Sequence, residues 1–181
     1  LEDPPRRLKT RLSRQQIPEN AAITFPMQWK DVSDGGIDEL DTHLSTNTKI
    51  SLVIIDTFSR FAGRTEQNDA ADMTDMFASL QQVAMKYDLS ILLIDHHRKS
   101  INPASNPIDD IFGSTAKAAV VDAVLGLYKE QGKQGAILKV TGRDIEESEI
   151  ALQWDAQRCI WHYKGEAGGV QKGTIKAEII E

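Results

Sequence analysis

Three stretches of the sequence end in residues that can do phosphate chemistry. The first is LVIID, residues 52–56, followed by the polar Thr57. A buried parallel strand that stops at one acid carries that carboxylate to the edge of a sheet. Asp56 can there hold a magnesium ion, or simply cap the strand-to-loop junction. The second stretch is LLIDHHRKS, residues 92–100, where Asp95 is followed by His96, His97, Arg98 and Lys99. Two histidines beside an acid and two bases can bind a metal, sense a phosphate or contact nucleic acid. The third is LEDPPRRLKTRL, residues 1–12. Glu2 and Asp3 either cap a proline-started helix, or Glu2 is a general base that polarises water for attack on phosphate.

The rest of the sequence must position these groups. Asp3-Pro4-Pro5 predicts a helix start, with the basic RRLKTRLSR segment as the helix. Residues 22–25 are a short strand candidate, and Ile37, Leu40 and Leu44 predict a helix. Residues 51–56 predict a buried strand. Between residues 69 and 87, Met73, Met76, Phe77, Leu80, Val83, Ala84 and Tyr87 form one apolar helical stripe. That stripe is a core face, not a ligand site. Residues 89–94 predict a second buried strand, then a polar loop to residue 110, a short helix at 113–121 and a third strand at 123–128. Beyond it, residues 136–141, 149–154 and 159–163 alternate apolar and polar, the pattern of an antiparallel meander. The predicted fold is α/β: a parallel sheet covered on both faces, with its ligands at the carboxyl ends of the strands.

Composition narrows the classes. The 181 residues are 40% hydrophobic and 27% charged, with a net charge of −6, enough for one domain with a core. The surface as a whole is not a nucleic-acid footprint, so any such contact comes from local basic segments. One cysteine, Cys159, permits no internal disulfide, and a reducing cytoplasm is the expected compartment. No apolar run approaches a membrane span.

Together the three stretches resemble the RepA-type hexameric replicative DNA helicases, within the RecA-like ATPases. LEDPP with its following RL resembles the segment whose glutamate activates water. LVIIDTFSRF resembles the magnesium-holding Walker B segment. LLIDHHRKS resembles the motif whose strand-end histidine senses the γ-phosphate. IFGSTAKAAVVDAVLGLYK, residues 111–129, resembles the helix and strand that follow. The resemblance runs over residues 1–164 as one core, leaving 165–181 as a weakly ordered tail.

The resemblance implies catalytic roles for Glu2, Asp56 and His97, with Asp3, Thr57 and His96 at the nucleotide and Asp56 at the metal. It implies ATP and Mg2+ as substrate and cofactor, single-stranded DNA as partner and a ring-forming homo-oligomer. Arg60, Arg64, Arg98 and Lys99 are the expected DNA contacts, from the loops at 59–68 and 98–110, with Phe58 or Phe61 as base-stacking groups. The family's arginine before the Gly113-Ser114 pair is Phe112 here, so a trans charge has to come from elsewhere. LKVTGRD, residues 138–144, offers Lys139 and Arg143.

The phosphate loop G-x-x-x-x-G-K-[ST] does not occur in these residues. GGVQKGT, residues 168–174, has Thr174 after its second glycine and no apolar strand before it. The loop and its strand are expected upstream of Leu1, so these residues alone are expected to bind nucleotide poorly and not to hydrolyse it. A slot is then expected between the second and third strands.

Two other readings use the same residues. The IDHH run matches the strand-end tripeptide of DHH-type manganese phosphoesterases, although residues 1–45 hold no second ligand cluster. A non-catalytic DNA-binding or assembly module on a RecA-like scaffold is the third reading.

Overall fold

The computed structural model describes residues 4–63, 70–96, 107–110, 120–129, 132 and 134–167. The fold is mixed α/β, with one parallel two-stranded sheet and one antiparallel four-stranded sheet. The chain divides into two compact units. One holds residues 1–4, 24–99 and 110–121, and the other holds 5–23, 100–109 and 122–181.

In the first unit, strands β1 (Leu52–Asp56) and β2 (Ser90–Ile94) pair in parallel, with Leu52 opposite Ser90 and Asp56 opposite Ile94. Helices α2 (Gly36–Thr46) and α4 (Ala70–Tyr87) cover one face of this pair. Leu40 and Leu44 of α2, Ile55 of β1, and Leu80 and Val83 of α4 form one buried cluster. The predicted stripe on α4 is therefore its core face. Each fully buried Leu, Val, Phe or Met contributes about 1.5–3 kcal/mol relative to exposure. Outside that core, Lys86 Nζ lies 2.6 Å from Asp41 Oδ1, and the Tyr87 hydroxyl donates to the Asp41 carbonyl at 2.9 Å. The Lys86 ammonium holds the Asp41 carboxyl below its usual range.

The opposite face of β1 and β2 is open: Leu52 is 51% and Ile54 56% exposed. Cover on both faces was expected; among the described residues it is present on one. The third predicted strand, β3 (Ala123–Lys129), pairs antiparallel with β4, not with the parallel pair. β2 and β3 thus lie in different sheets, where the expectation had them as neighbours across a slot in one sheet.

The second unit is the meander. β3, β4 (Gly135–Gly142), β5 (Ser148–Asp155) and β6 (Ile160–Glu166) follow one another in order. A register shift interrupts the β5–β6 ladder at Ala151/Leu152. Tyr128, Ala136, Thr141 and Ala151 are buried, and the Trp154 and Trp161 rings lie 5.1 Å apart. The β5–β6 turn is held by Asp155 Oδ1, which accepts the N–H groups of Gln157 (2.9 Å) and Arg158 (3.0 Å). Those donors, the Arg158 N–H foremost and then His162, hold the Asp155 carboxyl below its usual range. Helix α1 (Pro5–Arg14) also belongs to this unit. Its first residue is the proline, whose fixed φ and missing N–H suit the first helical position.

Residues 22–25 form no strand. Four residues make a ladder only with a partner to bond to, and Pro26 cannot donate onward. Ile23 is 52% and Phe25 44% exposed there. Two short helices lie where loops were expected, α3 (Phe58–Ala62) and α5 (Pro107–Asp110). Among the described residues, no helix is long and apolar enough to cross a membrane.

Candidate functional site

The parallel register brings two of the three polar stretches to one edge. Asp56 closes β1 opposite Ile94, and Asp95 and His96 follow Ile94 directly. The Asp56 side is thus one strand away from the Asp95-His96 side, both at carboxyl ends. Asp56 is exposed and lies on the same pleat as Ile54, on the open face. The Asp95 carboxylate accepts the His96 N–H at 2.9 Å, and His96 is exposed.

The turn after Asp56 is built inward. The Asp56–Thr57 peptide is cis. Thr57 is buried, and its hydroxyl lies 3.1 Å from that of Ser59. Phe58, Phe61 and Ala62 are at most 2% exposed. Phe58 stacks on Phe77 of α4 with ring centroids 5.2 Å apart, inside a cluster with Met73 and Met76. This corrects two expectations. Residues 58–62 form helix α3 rather than a loop, and Phe58 and Phe61 are core side chains, not base-stacking groups. A short helix whose positions i, i+3 and i+4 are apolar buries them against its neighbours. The sequence carries that signal at Phe58, Phe61 and Ala62, but over only five residues. Arg60 lies on α3 and is exposed.

The Asp31 side chain, which sequence reasoning missed, lies against Gly63 at the end of α3. Asp31 Oδ1 accepts the Ser33 hydroxyl at 2.7 Å and the Asp34 N–H at 3.0 Å. Gly63 has φ +64, and a Cβ there would fall on the Asp31 carboxylate. The DVSD order at residues 31–34, an Asx-type cap, was the available signal.

Arg143 lies just beyond β4 in the second unit, exposed, with its N–H donating to the Asp122 carbonyl at 3.1 Å. Lys139 of β4 pairs with Glu149 at 3.1 Å and sits 5.4 Å from the Tyr128 ring centroid. Glu2, Asp3, Arg64, His97, Arg98, Lys99 and Phe112 lie outside the described residues, as does the 113–119 part of the predicted short helix. An open groove of 660 Å³ is lined by Trp29, Lys30, Asp34, Asp38, Glu39 and His43 among others, and by none of the strand-end residues.

The donors at the edge suit magnesium. The exposed Asp56 carboxylate presents hard oxygens, whereas the Thr57 hydroxyl is buried beside Ser59; magnesium keeps several waters and takes one or two carboxylates plus substrate phosphates. Among the described residues, no group of three His, Cys, Asp or Glu side chains could hold a metal by itself. A family model described as "AAA domain" matches residues 1–101 of the 181, from the LEDPP stretch through β1 and β2. The chain belongs to the AAA domain family. This AAA domain is an ATPase-type domain, and its matched span contains both strand ends of the parallel pair. No curated protein matches the sequence.

Proposed function

We propose that this chain is part of the ATP-hydrolysing motor of a RepA-type replicative DNA helicase, of a plasmid or phage kind. The observation that carries the reading is the register of β1 on β2. It sets Asp56 beside Asp95-His96 at one sheet edge, inside the segment matched by the AAA domain family. Asp56 is the magnesium-side acid, with Asp3, Thr57 and His96 beside the nucleotide. Asp56 would hold a magnesium ion, which would supply neutralisation of phosphate charge during transfer.

The chain's own residues do the rest. Glu2 accepts the proton of the attacking water as its oxygen bonds to the γ-phosphorus and the bond to the β–γ bridging oxygen breaks. His97 donates a hydrogen bond to the γ-phosphate and reports its loss to the segment after β2. Arg143 acts across a subunit interface of a homo-oligomeric ring, on charge that develops in transfer. Arg60, Arg64, Arg98 and Lys99 contact the backbone of single-stranded DNA. The setting is cytoplasmic. No G-x-x-x-x-G-K-[ST] cradle for the phosphates lies among these residues, and on this reading the 181-residue chain alone does not turn over ATP.

The test is Glu2→Gln in the intact protein. Turnover is lost while nucleotide binding persists; unchanged turnover would remove Glu2 from the mechanism.

A further inference from the structure

Helix α1 carries charge of one sign on one side. Five of its ten residues are cationic (Arg6, Arg7, Lys9, Arg11 and Arg14) and none is acidic, in a chain whose net charge is −6. At about 100° per residue, Leu8 and Leu12 share one face, and both are half-buried. The five cations fan over about 200° of the other side, and all are exposed. The end of the helix is moored within its own unit. Gln15 Nε2 donates to the Cys159 carbonyl at 3.1 Å, and Arg158 donates to Gln16 Oε1 at 3.3 Å. Arg14 reaches Cys159 Sγ at 3.7 Å. The exposed Arg158 thereby extends the cationic surface past the end of the helix.

We propose that α1 and Arg158 form a binding surface for the sugar–phosphate backbone of single-stranded DNA. It is built from none of the residues assigned above to DNA contact and requires no nucleotide. Four of the five helix cations are arginines, whose planar guanidinium grips phosphate oxygens in pairs. A membrane-surface helix needs an apolar face free to enter lipid. Here the two leucines are half-buried and the helix has no aromatic residue. A duplex is stiff and meets one side of a helix about 15 Å long. A flexible single strand can follow cations spread around most of it.

The experiment is fluorescence anisotropy of a labelled oligothymidine with the full chain across a salt series. Each neutralised phosphate adds about 0.7 to the slope of log affinity against log salt, so five contacts predict a loss of about a hundredfold between about 50 and 200 mM. Replacing Arg6, Lys9 and Arg14 together by Gln lowers the slope by about 2. Arg6→Lys with Arg14→Lys keeps it. If the triple variant loses its far-UV circular dichroism, the three single Gln variants replace it, each lowering the slope by about 0.7. Wild-type affinity and slope in the Gln variants would overturn the proposal. So would a duplex binding more tightly than the single strand, or anionic-lipid vesicles binding where the oligonucleotide does not. None of these readouts involves ATP, so failure here leaves the ATPase reading standing, and the reverse holds.

Discussion

Phe58→Ala is the sharpest test of how the Asp56 turn is held. Phe58 is 1% exposed, two residues after Asp56, and stacks on Phe77 at 5.2 Å in the cluster with Ala62, Met73 and Met76. Truncating a buried Phe to Ala costs about 3–5 kcal/mol, counting transfer and the cavity left behind. Part of that is the ring pair, about 0.5–1.5 kcal/mol. A domain's whole stability is about 5–15 kcal/mol, so the variant loses a large share of it. Phe58→Leu refills most of the volume and costs under about 1.5 kcal/mol. Gln82→Ala, exposed on α4, stays within about 0.5 kcal/mol of wild type. Urea denaturation followed by far-UV circular dichroism gives all three. A Phe58→Ala cost below about 1 kcal/mol, or equal costs for Ala and Leu, would refute the argument that α3 anchors the strand end through a packed aromatic pair.

Two further perturbations follow from the geometry. Gly63→Ala puts a Cβ at φ +64 onto the Asp31 carboxylate, and costs about 1–3 kcal/mol; a neutral result in the same urea assay would mean that neither the positive φ nor the close approach of Asp31 constrains this position. Asp155 has a carboxyl held below its usual value of 3.8 by the Arg158 N–H and then by His162. Its contribution is fully present above about pH 4 and is lost as pH falls through the depressed value. Asp155→Ala should flatten the fall in urea midpoint between about pH 5 and about pH 2, and an unchanged acid limb would show that the turn does not depend on that charge.

Much of the fold was legible in the residues, for identifiable reasons. Helix α4 spans 18 residues, long enough for a 3.6-residue period to show, and Met73, Met76, Phe77, Leu80 and Val83 of its stripe are all buried. The continuous apolar runs before Asp56 and Asp95 became the parallel pair, and the alternating runs became the meander. Helix α3 was not legible, because five residues hold barely more than one turn. The fate of residues 22–25 depended on whether a partner strand lay beside them, which is a tertiary matter. So did the sheet that β3 joins: Ala123–Lys129 reads as a strand from its own residues, but its pairing with β4 is set by the chain that follows. Strand-end placement of Asp56, Asp95 and His96 was readable from pattern alone. The close approach of Asp31 to Gly63 was not, because the two lie 32 residues apart in sequence.

The measurement closest to the central claim is Mg2+-dependent ATP turnover of the intact protein with Asp56 replaced by Asn. The change keeps the size of the side chain and removes the charge at the end of β1. The account predicts a fall of about a hundredfold or more, the scale of losing one preorganised electrostatic group at a phosphoryl-transfer site, with the far-UV spectrum unchanged. Wild-type turnover in Asp56→Asn would contradict it.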